Sequence, residues 1–150
     1  MRSTKIAYIL TSVVLVLACS QYLRAHAPSP ATEEIPKIIQ FGLDTYKSEG
    51  PESAVKAWVK GGPYDGNRDV ATGQASILRQ AQSLYGTYRG YELIHEQDVS
   101  ASVRVFYLTL NFERGPVFAR FIVFRSEQGA MITALNFSVK PEDIIPNLLQ

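Results

Sequence analysis

The sequence predicts an α+β domain in which three N-terminal helices pack on a curved four-stranded antiparallel sheet. Apolar residues recur near a helical period of about 3.6 residues from Ile35 to Tyr85. Beyond Gly86 the pattern changes to alternation, the period of a strand. The connections between the alternating segments are too short for anything but antiparallel neighbours. A chain of 150 residues, 46% hydrophobic and 19% charged, provides one such core and a leader, and leaves no room for a second domain.

Residues 1–27 read as that leader. Arg2 and Lys5 precede an apolar run from Ile6 to Ala18, the layout of an export signal with its basic end held on the cytoplasmic side. Three exits from the run stay open. Val16-Leu17-Ala18-Cys19 resembles a bacterial lipobox, which makes Cys19 the lipidation candidate. Ala25-His26-Ala27 offers ordinary signal cleavage, with Pro28 an awkward follower. An uncleaved anchor from Ile6 to Leu23 approaches the ~20 apolar residues that a membrane helix needs. Each outcome carries the domain to the periplasmic or cell-envelope side, and two of them tether it to the membrane through the N-terminus.

Cleavage through Ala27 would remove three of the 15 basic residues, Arg2, Lys5 and Arg24, leaving the basic residues outnumbered by the 14 acidic ones. That balance speaks against nucleic acid as a partner. Cys19 is the one cysteine, so the domain must hold together without an internal disulfide.

Pro28-Ser29-Pro30-Ala31-Thr32 forms an extended spacer, because proline fixes its own φ and turns its predecessor away from helix. The domain then spans 33–150. Its first helix carries Ile35, Ile38, Ile39, Leu43 and Tyr46 on one side, with Glu33 and Glu34 favourable at its positive end, and stops at Ser48-Glu49-Gly50. Pro51 opens a second helix, where its missing N–H costs nothing, and Ala54, Val55, Trp58 and Val59 form its stripe. Gly61-Gly62-Pro63 ends it. Asp69 is the expected cap of a third helix, which runs to Tyr85 and closes on Gly86.

Four strands follow, near 87–99, 102–113, 117–126 and 130–139. Turns at Ser100-Ala101 and Arg114-Gly115 and a three-residue loop at Glu127-Gln128-Gly129 pair Glu92 with Thr109, Thr109 with Arg120, and Arg120 with Asn136. One face then carries Tyr91, Leu93, Phe106, Leu108, Leu110, Phe112, Val117, Ala119, Phe121, Val123, Leu135 and Phe137, and the helices should cover it. The other carries a polar row of Glu92, Thr109, Arg120 and Asn136, flanked by Ile94, Tyr107, Phe118, Ile122, Phe124, Ile132 and Ala134. If Gly129 instead sits in a two-residue turn, the last strand flips and Asn136 leaves the row.

This order of elements over residues 33–139 resembles the NTF2-like, cystatin-like superfamily, in which helices lie in the concave side of a bent sheet. Gly86-Thr87-Tyr88-Arg89-Gly90-Tyr91 and Gly115-Pro116-Val117-Phe118-Ala119-Arg120 are similar to segments of small bacterial exported domains of this type. The resemblance implies the fold and leaves activity open, since one fold hosts many functions.

Two readings of the domain compete. The first is a noncatalytic binding or assembly module whose outer sheet face, with Glu92, Tyr107, Thr109, Phe118, Arg120, Ile122 and Asn136, receives a second copy or an envelope protein. It requires an exposed patch around Phe118, Ile122 and Phe124. The second is a small pocket enzyme for an apolar substrate, with His95 as acid or base; alternation puts His95 on the core face beside Phe106. No nucleophile motif supports it further. Asp65-Gly66-Asn67-Arg68-Asp69 begins like a calcium loop, but Val70 and Ser76 stand where a glycine and a bidentate glutamate belong, so neither a metal nor a cofactor is expected.

Overall fold

Proline and glycine set the helix boundaries. In the computed structural model, which describes residues 35–145, α1 spans Lys37–Glu49, α2 Pro51–Val59 and α3 Arg68–Tyr85. The leader with Cys19, the spacer, Glu33–Glu34 and the tail from Pro146 lie outside the described residues. Pro36 disfavours helix at Ile35, so α1 begins after it, with the Ile39 and Gln40 N–H groups donating to the Pro36 carbonyl at 2.9 and 3.1 Å. Gly50 ends α1 by donating to Tyr46 O at 3.1 Å, and Pro51 starts α2 at once, as expected.

The cap of α3 is Asn67, not Asp69. Its Oδ1 accepts from Val70 N at 3.1 Å. Both residue types cap well, but the turn in which Asn67 N donates to Tyr64 O leaves Asn67 in the extended conformation a cap needs and puts Asp69 inside the first turn. At the far end Gly86, at φ +86°, donates to Gln82 O at 2.9 Å, the expected closure.

The strands are β1 Tyr88–Asp98, β2 Val103–Phe112, β3 Gly115–Ser126 and β4 Gly129–Ser138, followed by a 3-10 turn at Pro141–Asp143. They form one antiparallel meander in the order β1-β2-β3-β4. The α+β architecture of three helices on a four-stranded antiparallel sheet is therefore the one the sequence predicts. Among the described residues no helix is long and apolar enough to cross a membrane.

The core lies between the helices and one sheet face. Ile39, Leu43, Val55, Trp58 and Leu78 from the helices meet Phe106, Leu108, Leu110, Val117, Phe121, Leu135 and Phe137 from the sheet, all buried. Trp58 is fully buried, with its ring 5.2 Å from that of Phe121 and 5.5 Å from that of Phe137. Gly42 lets the indole come this close to α1, since a Cβ there would lie 1.9 Å from Trp58 Nε1. The helix backbones approach β4 and β3 most closely. Tyr91, expected on the core face, therefore remains 36% exposed on β1 at the far edge.

At the open end of α1, the rings of Tyr46 and Tyr88 meet edge to face at 4.9 Å and both approach Phe112. Burial pushes the Tyr46 phenol up to about 12. Tyr88 is raised further, by burial first and then by Tyr91, Asp44 and Tyr46.

Three bulges decide which residues face which way. Glu92 pairs with Thr109, and Arg120 with Asn136, as expected. Thr109 faces Phe118 rather than Arg120, because the β2–β3 turn is Glu113-Arg114, one residue earlier than predicted. Moving a turn by one residue slides the partner strand by two, which preserves the faces.

In β1 the pairing passes from Leu93–Leu108 to His95–Tyr107, so Ile94 is an extra residue. His95 therefore stands opposite Tyr107 on the outer face, not beside Phe106 in the core. In β4 the pairing jumps from Val123–Ile132 to Ile122–Ala134 around Thr133, which turns Ile132 into the core instead of outward. A further extra residue, Arg89, separates Tyr88 from Gly90.

Candidate functional site

Pairing by register places four polar and aromatic side chains in line on the outer face: His95 on β1, Tyr107 on β2, Arg120 on β3 and Asn136 on β4. Tyr107, Arg120 and Asn136 occupy outward positions because alternation commits their neighbours to the core, and His95 does so because the extra Ile94 turns it outward. Glu92, Thr109 and Phe118 form the adjacent row, and Ile122 lies in the row on the other side. The seven outer-face residues named from the sequence are thus brought together, in two rows and part of a third rather than in one.

The imidazole of His95 is exposed and lies nearly parallel to the buried Tyr107 ring, centroids 6.3 Å apart at 18°. Arg120 is half-buried. Its Nη2 donates at 2.7 Å to the Asn136 side-chain oxygen, whose amide nitrogen donates to Leu135 O at 3.0 Å. Arg120 Nε and the Thr109 hydroxyl are buried without a hydrogen-bond partner among the described residues. Glu92 does not reach Arg120; its Oε1 accepts from Asn111 Nδ2 at 2.9 Å. The ion pairs among the described residues join Arg79 to Glu52, Arg89 to Glu113, and Arg104 to Glu96 and Asp98, so Arg120 has no carboxylate of its own there.

The chain itself covers part of this face. After β4 the backbone turns, with Lys140 N donating to Ser138 Oγ at 3.1 Å and Ser138 Oγ donating to Asp143 Oδ2 at 2.7 Å. Ile144 and Ile145 are thereby laid onto Val105 and Tyr107, with Ile94, Phe118 and Ile122 packed around them. Phe118 and Ile122 are consequently half-buried, as is Phe124 further along β3, and the open patch expected around them is narrowed by the chain's own tail. Sequence reading missed Ile144, Ile145 and Val105. Val105 shares the parity of Tyr107, and an Ile-Ile pair just after a proline turn was a visible request for burial.

The rival reading loses its geometry. It needed His95 in a pocket between helices and sheet, whereas His95 is on the opposite face and that interior is filled by Trp58, Phe121 and Phe137. A depression of about 60 Å³ beside the β1–β2 turn, lined by Ser100, Arg104 and Arg125, has space for little more than water. Asp65 Oδ2 accepts from Gly61 N at 2.9 Å and Asn67 Oδ1 from Val70 N at 3.1 Å, so the loop that begins like a calcium site uses two of its side-chain oxygens internally. Among the described residues no three His, Cys, Asp or Glu side chains gather as a metal site.

No family model and no curated protein matches the chain. Among solved structures it is similar to a domain of unknown function with a cystatin-like fold from Nostoc punctiforme, at 13% identity and a TM-score of 0.44, over 75% of this chain and 79% of that one. It is also similar to the intermembrane space region of the chloroplast protein ARC6, at 16% identity and a TM-score of 0.33, over 67% and 88% of the two chains. Both likenesses concern the fold and say nothing of function.

Proposed function

We propose that this domain is an exported, noncatalytic binding or assembly module, held near the envelope face of the membrane by its N-terminus, and that its outer sheet face receives a protein partner at Arg120. The observation that carries the reading is the state of that arginine. A half-buried guanidinium whose Nε, like the Thr109 hydroxyl, has no hydrogen-bond partner among the described residues is costly unless something completes its hydrogen bonding. A partner carboxylate would do so once the atoms that bury Nε give way, since guanidinium and carboxylate match as a two-pronged pair. Half-buried Phe118 and Ile122 supply an aromatic and aliphatic surround of the kind interface centres favour, while Tyr107 lies beneath Ile144 and Ile145. Export rests on the leader read from the sequence, with lipidation at Cys19 as one form of the tether.

The test is photo-crosslinking in intact cells from an unnatural residue at position 118 or 122. A discrete adduct, either a second copy or another envelope protein, that disappears with Arg120→Gln is the expected result. A face that yields no adduct above background, or adducts indifferent to Arg120→Gln, would sink the reading.

A further inference from the structure

Away from the sheet, the end of α2 and the start of α3 frame an open cleft of about 520 Å³. That lies within the ~300–1,000 Å³ range of small-molecule sites. Its walls hold three cations, Lys56 in the last turn of α2, Lys60 just past its end and Arg68 at the start of α3. Lys56 and Lys60 are one helical turn apart and so stand on the same side. None of the three is in an ion pair among the described residues, although other exposed arginines of the domain are. The single carboxylate in the lining, Asp65, is turned to the Gly61 N–H. The floor is of a different character, with buried Val59 and half-buried Tyr64 and Ala71.

We infer that this cleft binds a phosphate monoester whose carbon group is small and apolar or aromatic. Three cations against one carboxylate leave an excess of two positive charges. A phosphate monoester brings about −1.5 to −2 at neutral pH, together with three acceptor oxygens. Arg68 is suited to grip two of those oxygens at once, and the lysines act as point charges around the third. The apolar floor then receives the carbon group, which inorganic phosphate lacks. The phosphomonoester itself is offered by a soluble phosphorylated compound and by the headgroup of phosphatidic acid, whose glycerol carbons would then face the floor.

The experiment titrates the full chain with phenyl phosphate by calorimetry and, separately, with phosphatidylcholine vesicles with and without phosphatidic acid. Each titration is repeated on the triple variant Lys56→Gln, Lys60→Gln, Arg68→Gln and on a control variant, Arg114→Gln with Lys140→Gln. Phenyl phosphate binding that weakens at least tenfold in the triple variant and holds in the control identifies a soluble ligand. Binding confined to phosphatidic acid vesicles, with the same loss in the triple variant, identifies the headgroup. All three positions are exposed, so the fold should survive; if circular dichroism shows otherwise, the single changes Lys60→Gln and Arg68→Gln read the same loss. Absence of binding to either probe, or binding equal in the wild-type and triple-variant chains, overturns the inference.

Discussion

The indole nitrogen of Trp58 donates to the Ile39 carbonyl oxygen at 3.0 Å, joining α2 to α1 through a fully buried hydrogen bond across 19 residues. The contact is possible because Gly42, one position short of a full turn beyond Ile39, has no side chain. In Gly42→Ala the new methyl would occupy the place of the indole, so the helices must part or the ring must leave Phe121 and Phe137. Overpacking of this kind costs about 1–3 kcal/mol or more. Urea unfolding should show the midpoint falling by that equivalent with an unchanged slope. Trp58→Phe, which keeps an aromatic ring and removes the donor, should also destabilise, and a midpoint equal to wild type would refute the role assigned to the indole.

Capping separates two neighbouring residues that look alike in the sequence. Asn67→Ala should cost about 1 kcal/mol, because the Val70 N–H loses its acceptor, while Asn67→Asp should be tolerated. Asp69→Asn should change stability by only a few tenths of a kcal/mol, the loss of a favourable charge near the helix start. Thermal unfolding of the three variants distinguishes the cap that forms from the cap that the sequence suggested.

Alkaline pH should unfold the domain through its buried tyrosines. In the unfolded chain a phenol ionises near pH 10, whereas in the folded protein burial keeps Tyr46 protonated up to about 12. The stabilisation is therefore intact below pH 10 and is lost as pH rises from 10 to 12, by roughly 2 kcal/mol for this group alone. Tyr88, also raised, adds to the loss. Because the Tyr46 hydroxyl has no partner among the described residues, Tyr46→Phe should be as stable as wild type or slightly more so at neutral pH. It should also flatten the stability profile above pH 10, measured by denaturant titration at each pH. A variant with an unchanged alkaline slope would contradict the assignment.

The tail can be loosened without touching the main core. Ile144→Ala should cost about 2–4 kcal/mol if all of its burial is lost, and should raise binding of a hydrophobic dye by baring Val105 and Tyr107. Ser138→Ala removes the hydroxyl that ties Asp143 and accepts from Lys140 N, and should speed amide exchange at Ile144 and Ile145 with little change in global stability. Equal dye binding by wild type and Ile144→Ala would show that these side chains do not cover the face.

Helices and strand order were legible because periodicity reports burial directly, and Pro51, Gly50 and Gly86 mark boundaries for steric reasons. Register was legible only by compensation. The β1–β2 loop is Ser100-Ala101-Ser102, one residue longer than expected, and the extra Ile94 in β1 restores the Glu92–Thr109 pair beyond it. In the same way the β3–β4 turn is Glu127-Gln128, one residue shorter than expected, and Thr133 restores Arg120–Asn136. Between each turn and its bulge the facing is reversed, which is why His95 and Ile132 were assigned to the wrong sides. A bulge at an aliphatic residue leaves no local mark, since Leu93-Ile94-His95 reads as ordinary strand. The tail's seat was illegible for another reason, that contacts remote in sequence carry no periodic signal.

The extra residues Arg89 and Ile94 lie on β1, and Thr133 lies on β4, the two strands with one neighbour each. Neither border of the sheet therefore offers a straight, evenly spaced ladder of backbone groups to a passing extended chain. Molecules crowded together on one surface can meet through side chains without templating fibrous growth of one sheet upon the next.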